Sequence, residues 1–492
     1  MDQATLRDHA AAGFHRVPLV REVFADLETA LSAYLKLARG PYSYLFESVQ
    51  GGEKWGRYSI IGLPCRELIR VRGETITVER DGAVVETIRR RDPLIWIEEY
   101  RLGLKVAEPP GLPRFFGGLV GYFGYDTVRY AEPRLSGVEK PDALGDPDIL
   151  LLRSEEVAVF DNLRGKLSLI VHVDPREGDA LERGTARLDE LEAQLAEPLQ
   201  WPAAAASGVD VAEHDFVSGF TQAGFEAAVA RAREYIVDGD IMQVVLSQRL
   251  SVPLKARPLD LYRALHTLNP SPYMYFLDLG GTQVVGSSPE ILVRLDDDEV
   301  TVRPIAGTRP RGTDAAEDEA YAREMLADEK ERAEHLMLVD LARNDVGRVS
   351  RFGTVTVNPY MEVKKFSHVM HLVSQVQGEL AEGSTPFEAL TACLPAGTLS
   401  GAPKIRAMEI IDQLETKRRG PYGGAVGYFS YNGSMDTCIT IRSVVFTGGS
   451  AYVQAGAGIV EDSVPQAEYE ESVRKASGLL EVLQAPIREA VS

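Results

Sequence analysis

Cysteine is scarce. Three residues, Cys65, Cys393 and Cys438, are scattered through 492 positions with no paired spacing. That excludes a disulfide framework and fits free thiols in a reducing compartment, so a cytoplasmic location is expected. Positive charge is also short, because 73 acidic residues outnumber 53 Lys and Arg and leave a formal net charge of −20. Such a surface repels nucleic acid and acidic membranes, and an anionic ligand would need a local reversal of sign. No apolar run approaches the ~20 residues that span a bilayer. The opening "MDQATLRDHAAAGFHRVPLV" carries acid early and has no apolar h-region, so no secretory signal is expected. Three motifs are missing as well. G-x-x-x-x-G-K-[ST] and G-x-G-x-x-G do not occur, and neither does the H-E-x-x-H of zinc hydrolases.

What remains is a globular composition, 45% hydrophobic and 26% charged, in a chain too long for one ordinary core. The first third reads as strands joined by tight turns. "ELIRVR", "TITVER" and "AVVETI" are separated by Gly-Glu and Asp-Gly, the latter a strong hairpin signal. "VAVFDNLRGKLSLIVHV" reads as another hairpin, followed by a helix near 177–196. The stretch 197–210, "EPLQWPAAAASGVD", replaces periodic hydrophobics with Pro, Ala, Ser and Gly and marks a boundary. Strands and helices alternate after it. One long helix is expected from about Ala315 to Asn344, another near 402–415 and a last near 465–484. The fold class expected is α+β, with large mixed β-sheets in a sandwich surrounded by helices. An internal echo, "GGLVGYFGYD" from Gly117 and "GGAVGYFSYN" from Gly423, reads as two similar strands.

Two glutamate pairs carry the first chemical hint. In "KERAEH", Glu331 and Glu334 are three apart and share a helix face, and Glu468 and Glu471 repeat that spacing in "QAEYEES". Four carboxylates without thiolate favour a hard cation such as Mg²⁺, although either pair alone reads more readily as a solvated face. His335 follows Glu334 directly, points off that face and reads as structural.

Three Gly-rich loops could receive an anion. "PIAGTRPRG" (304–312) brings Gly307, Thr308, Arg309 and Arg311. "PAGTLSGAPK" (395–404) brings Gly397, Thr398, Ser400 and Gly401 just before a helix N-terminus. "QAGAGIV" brings Gly456, Ala457 and Gly458. Each alone reads as a turn; together with the carboxylates they suit a small polyanionic ligand held with Mg²⁺.

These stretches, with "DEKERAEHLMLVDLARNDVGRVS", "VMHLVSQVQGEL", "GPYGGAVGYFS", "DTCITIRS" and "VQAGAGIVEDSVPQAEYEES", cover most of 220–480. With the N-terminal "LFESVQGGEKWGRYSIIG", the chain resembles the chorismate-utilising enzymes, and among them the large subunits of anthranilate synthases. The resemblance implies an N-terminal regulatory domain at 15–196 and a chorismate-binding catalytic domain at 215–485. It implies Mg²⁺ held by Glu334 and Glu471, with Glu331 and Glu468 beside them. It matches Gly307, Thr308, Tyr422, Arg442, Gly456, Ala457 and Gly458 to substrate contacts, Arg442 pairing with the enolpyruvyl carboxylate.

The chemistry implied is addition of ammonia at C2 of the chorismate ring while the C4 hydroxyl leaves, followed by loss of pyruvate. Hydroxide is a poor leaving group, so an acid must protonate it. Glu290 of "SSPE" takes that position, Thr398 is grouped with it as catalytic, and His371 matches the histidine of the second stage. Its neighbour His368 is taken as structural. Water-adding relatives carry a lysine where "QVVLSQ" has Gln243, and aminodeoxychorismate synthases carry a nucleophilic lysine where "PIAGT" has Ala306. Both departures favour anthranilate over the alternatives, an aminodeoxychorismate synthase component or a silent amino-acid-binding regulator. No cysteine stands on a Gly-flanked elbow, so a partner glutamine amidotransferase subunit is expected to supply ammonia. A tryptophan pocket for feedback inhibition is expected at Glu47, Ser48, Asn269, Pro272, Tyr273 and Met274, with Cys438 near it.

Overall fold

The computed structural model describes residues 1–48, 56–137, 140–142, 144–200, 217–253, 257–366 and 369–484. Its architecture is a sandwich of a 12-stranded and an 11-stranded sheet, with a separate three-stranded sheet at one side. Every ladder between the described strands is antiparallel, so the large sheets are antiparallel rather than mixed in strand direction.

Side-chain alternation explains the layers. In the 11-stranded sheet, Val120, Tyr122, Leu150 and Leu152 face inward, while Leu119, Phe123, Ile149 and Leu151 face the helices outside. In the 12-stranded sheet, Tyr44, Ile60, Tyr275 and Leu277 meet the first group, whereas Leu45, Ile61, Met274 and Phe276 pack under helices. Strands buried on both faces need unbroken apolar runs, as in the Ile149–Ser154 strand "ILLLRS".

Both sheets are assembled from both ends of the sequence. Ser43–Glu47 pairs with Tyr273–Asp278, and Gly118–Phe123 pairs with Ala425–Ser430. The two strands of the internal echo are therefore direct neighbours, with Gly121 opposite Gly427. The segments 15–196 and 215–485 each contribute to both large sheets. Most of the intervening linker lies outside the described residues.

The helix expected over 315–344 is two helices, Ala315–Ala327 and Glu329–Gly347. Asp328 separates them. Its backbone is extended, and its carboxylate accepts hydrogen bonds from the N–H groups of Lys330 (3.0 Å) and Glu331 (3.2 Å). An aspartate side chain that competes for backbone donors starts a helix more readily than it continues one. The break aims the first two turns of the second helix, which carry Glu331 and Glu334, at the site.

Candidate active site

A cleft of about 2400 Å³ opens beside the Gln243–Pro253 and Ser450–Ile459 strands of the 12-stranded sheet. Glu290, Gly307, Thr308, Thr398, Tyr422, Arg442, Gly456, Gly458, Glu334, Glu468 and Glu471 all line it. Residues from far-separated stretches thus converge on one surface.

Glu290 stands where the chain crosses between sheets, after the Thr282–Ser288 strand of the larger and before Ile291–Asp296 of the smaller. Its carbonyl accepts from Ile439 N–H at 3.0 Å, which pins the crossing. Desolvation raises its carboxyl to about 7, against the lowering pull of the Thr398 hydroxyl and the more distant Arg442 and Lys475. Thr398 Oγ1 lies 3.3 and 3.4 Å from the two carboxylate oxygens. A carboxylic acid half-protonated near neutrality is what protonation of a leaving hydroxyl requires.

His371 lies on the Val369–Val373 strand of the small sheet. Its Nδ1 is 2.7 Å from the Gly307 carbonyl, which can only accept, so Nδ1 carries the proton and Nε2 keeps its lone pair. Thr308 Oγ1 is 3.2 Å from the same nitrogen. Desolvation lowers the imidazole's proton affinity, Gly307 raises it and Arg442 lowers it further, so the ring is neutral at pH 7. The loop expected at 304–312 is largely a strand, Ile305–Pro310, with a bulge between Ala306 and Arg309. Gly307 takes a φ of +65° there, and a Cβ would stand 3.2 Å from a Glu331 oxygen. Only glycine meets both demands without strain. His368 lies outside the described residues.

The anion-binding expectations divide. Arg442 reaches the cleft, at a left-handed φ of +49°. Arg309 and Arg311 do not serve as free cations. Arg309 is spent on Glu324, Asp328 and Glu331, and Arg311 grips Asp318, so both fasten the small sheet to its helices. In 395–404 the helix begins only at Lys404, whose ammonium pairs with buried Asp345 at 2.7 Å. Gly456 and Gly458 face the cleft, but Ala457 between them turns its methyl into the core behind. Strand alternation demands this, and only the Ala457 backbone is left to meet a ligand.

Glu334 lines the cleft together with Glu468 and Glu471 of the last helix, and lies close enough to Glu471 to feel its charge. Desolvation first, then the neighbouring carboxylates, raise Glu334 and Glu468 above the ordinary carboxyl range. Lys475 pairs with Glu471 at 2.8 Å, and Glu331 is held aside by Arg309 at 3.0 Å. Among the described residues no three His, Cys, Asp or Glu side chains form a ready-made cage. An all-carboxylate set crowded by like charge fits a hard divalent ion that retains waters and takes few protein ligands. His335 is no ligand. It is fully buried, with Nε2 2.7 Å from Ser374 Oγ, and desolvation takes it down to about 4.

A second cavity, about 680 Å³, backs onto the first. Glu47, Ser48, Pro272, Tyr273, Met274 and Cys438 line it, joined by Lys364 and Lys365 of the small sheet and by Phe366 just after them. Glu47 accepts from the Tyr262 hydroxyl, and burial raises its carboxyl. Asn269 is the exception. It lines the first cleft, and its carbonyl accepts from Ser287 Oγ at 2.5 Å. Burial raises all three thiols, Cys65 to about 12, so none is an activated thiolate.

Several cleft residues went unnoticed in the sequence. Gln454 shares the strand face of Gly456 and Gly458 and is oriented by Arg249 and Ser247. Lys475 donates to the Gly456 carbonyl at 3.2 Å. Period-two spacing would have found the first, and the i,i+4 spacing from Glu471 the second.

The family model described as chorismate binding enzyme matches residues 50–481. The chain is 57% identical over 471 residues to anthranilate synthase component 1 of Pseudomonas putida, covering 95% of each chain. It is 51% identical over 479 residues to that of Neisseria meningitidis serogroup A, covering 96% of each. Among solved structures it superposes on anthranilate synthase component I from Streptococcus pneumoniae TIGR4 with a TM-score of 0.76 and 39% identity, covering 93% of this chain and 98% of that one. The menaquinone-specific isochorismate synthase from Escherichia coli, at 19% identity and a TM-score of 0.70 over 98% of each chain, shares the fold.

Proposed function

The chain belongs to the chorismate-binding enzymes, and from that premise we propose how its cleft works as the chorismate-converting component of an anthranilate synthase. It turns chorismate and ammonia into anthranilate and pyruvate, the entry to tryptophan synthesis. The observation that carries the mechanism is Glu290, whose carboxyl sits near 7 against the Thr398 hydroxyl in a cleft shared with Arg442.

In this mechanism Arg442 pairs with the enolpyruvyl carboxylate, a match for a planar guanidinium. Tyr422 and the backbone at Gly456–Gly458 shape the ring's bed, and Gly307 and Thr308 close its other side. Ammonia attacks C2, the ring double bonds shift, and the C4 hydroxyl leaves as water with the Glu290 proton. His371 Nε2 then takes the C2 proton, the C3–oxygen bond breaks, and enolpyruvate departs and becomes pyruvate as the ring aromatises. Glu334 and Glu471 would hold Mg²⁺, with Glu331 and Glu468 beside them, and the ion would supply positive charge for the ring carboxylate. Ala306 puts a methyl group on the cleft wall, which supports anthranilate over products that need a lysine nucleophile there.

Three further assignments belong to this reading. Ammonia comes from a glutamine amidotransferase subunit, since none of the chain's three thiols is activated. Tryptophan occupies the second cavity, where Glu47 meets its ammonium and Met274 and Tyr273 its indole. The enzyme works in the cytoplasm, in line with three free cysteines and with no described helix long and apolar enough to cross a membrane.

The test is turnover by the pure chain with chorismate, ammonium and Mg²⁺. The expected product is ortho-aminobenzoate, with no turnover on glutamine until a glutaminase subunit is added. A para-aminobenzoate product would overturn the reaction assigned, and glutamine-dependent turnover by the chain alone would overturn the partner.

A further inference from the structure

The most deeply buried ion pair beside the cleft belongs to no step of the reaction. Arg419 and Glu415 retain only 2% and 4% of their side-chain exposure. Arg419 donates Nε to Glu415 Oε2 (2.9 Å) and Nη2 to Oε1 (2.6 Å), a two-point fork. Its remaining reach is used on backbone. Nη1 donates to the Leu399 carbonyl at 2.6 Å, and Nη2 to the Val245 carbonyl at 2.9 Å. Glu415 Oε1 in turn accepts from the N–H and the hydroxyl of Ser247, both at 2.8 Å. The guanidinium also lies over the Tyr125 ring (4.5 Å) and near the Tyr422 ring (5.8 Å).

Three cleft-lining segments meet at this pair: the Gln243–Pro253 strand, the turn Gly397–Leu399 and the stretch leading to Tyr422. Leu399, whose carbonyl is clamped, is the residue after Thr398. We propose that Arg419 and Glu415 are positioning residues, which hold the Thr398 hydroxyl on Glu290 and so set the protonation of the acid that expels the C4 hydroxyl.

The chemistry of the groups supports this over a role in stability alone. Burying two full charges costs desolvation that their attraction does not fully offset, so an apolar pair of the same volume would serve a core equally well. What the pair does provide is direction. Four guanidinium bonds in one plane fix the relative placement of three segments, and an ammonium on a flexible stem cannot reproduce them. The Thr398 hydroxyl lowers the proton affinity of Glu290, so a hydroxyl displaced by even a few tenths of an ångström releases that pull.

The proposal rests on the reading of Glu290 as the acid, and the experiment separates the two. Anthranilate formation from chorismate and ammonium is measured as a function of pH for the full chain and for Arg419→Lys, Glu415→Gln, Thr398→Val and Arg419→Lys/Thr398→Val. Glu290→Gln is the control and melting temperature a parallel readout. Arg419→Lys should stay folded, lower kcat by about tenfold and change KM for chorismate by less than about threefold. Its alkaline pH limb should move upward by about half a unit, as should that of Thr398→Val, through loss of the same bond to the carboxylate. The double variant should add nothing further to either shift. If Arg419→Lys does not fold, the isosteric Glu415→Gln carries the same comparison. A lower melting temperature with an unmoved pH limb, or limb shifts that add in the double variant, would make the pair structural and overturn the proposal. Full activity in Glu290→Gln would instead remove the acid, whatever Arg419 does.

Discussion

With free ammonia held constant, kcat/KM for chorismate should fall tenfold for each pH unit above about 7, because in the proposed mechanism Glu290 carries the proton that expels the C4 hydroxyl. The magnitude follows from where the cleft puts this carboxyl. At its ordinary 4.5, about 0.3% of the group would be protonated at pH 7, against about half at the raised value, a difference of about a hundredfold in the acid form. Desolvation is the larger cause, with Thr398, Arg442 and Lys475 pulling the other way. The proposed mechanism assigns the acid-side limb to His371, whose proton affinity burial lowers, so that limb should lie below 6.5. Anthranilate fluorescence reads the reaction, with total ammonium adjusted at each pH to keep NH₃ fixed. kcat/KM is the quantity to plot, since it reports groups of the free enzyme. Glu290→Gln should cost about 10²- to 10⁴-fold and lose the alkaline limb. An alkaline limb below pH 5.5, or a Glu290→Gln variant with more than a tenth of the parent rate, would refute the reasoning. The same shift bears on stability. The native state binds the Glu290 proton more tightly than the unfolded chain, so this group's contribution is fully present below 4.5. It is lost as pH rises from there through about 7.

Glu334→Gln and Glu471→Gln should each lose at least about a hundredfold at limiting Mg²⁺ with either nitrogen source, and full activity in either would remove the metal assignment. In His371→Ala the aminated, pyruvate-bearing intermediate should accumulate and be visible by chromatography, whereas an unimpeded second stage would leave His371 a structural residue. Ser48→Phe should fill the second cavity and relieve tryptophan inhibition with little loss of uninhibited rate. Retained sensitivity in that variant would place the inhibitor elsewhere.

Local features were legible because their causes are local. Asp81 and Gly82, read as a hairpin turn, take φ values of 51° and 78°, the left-handed geometry that such a turn requires. The last helix begins at Pro465 and carries Glu468 and Glu471 on one face, as their spacing demands. Arg309 and Arg311 were misread as free cations because a charge in a Gly-rich loop says nothing about partners. Those partners, Glu331 and Asp318, arrive from the following helices only on folding. Asn269 failed for a related reason. It stands at the end of the helix Pro258–Leu268, and the turn that follows puts it in the first cleft while Pro272 and Tyr273 go to the second. Ala457 is a different case, since alternation already placed it opposite its two glycines.

What no local pattern could reveal is that the two cavities share a wall. Neighbours in the crossing between sheets face opposite ways: Pro289 lines the second cavity and Glu290 the first. Ile305 borders both, and Cys438 and Arg442, four residues apart, divide between them. The partition exists because strands from both ends of the chain interleave. Ser43–Glu47 brings Glu47 against Met274, and the Thr282–Ser288 strand then carries Glu290 out of the same sheet. The Ile439 N–H that holds the Glu290 carbonyl comes from the residue after Cys438. A ligand in the second cavity therefore touches the segment that aims the acid. Contact alone would not make it an inhibitor. It must bind more tightly when that segment stands away from the productive position, by a factor equal to the loss of chorismate affinity it causes. Because Pro289 and Glu290 are adjacent in the chain and line different cavities, such a difference needs no long path: a shift at Pro289 is a shift at Glu290.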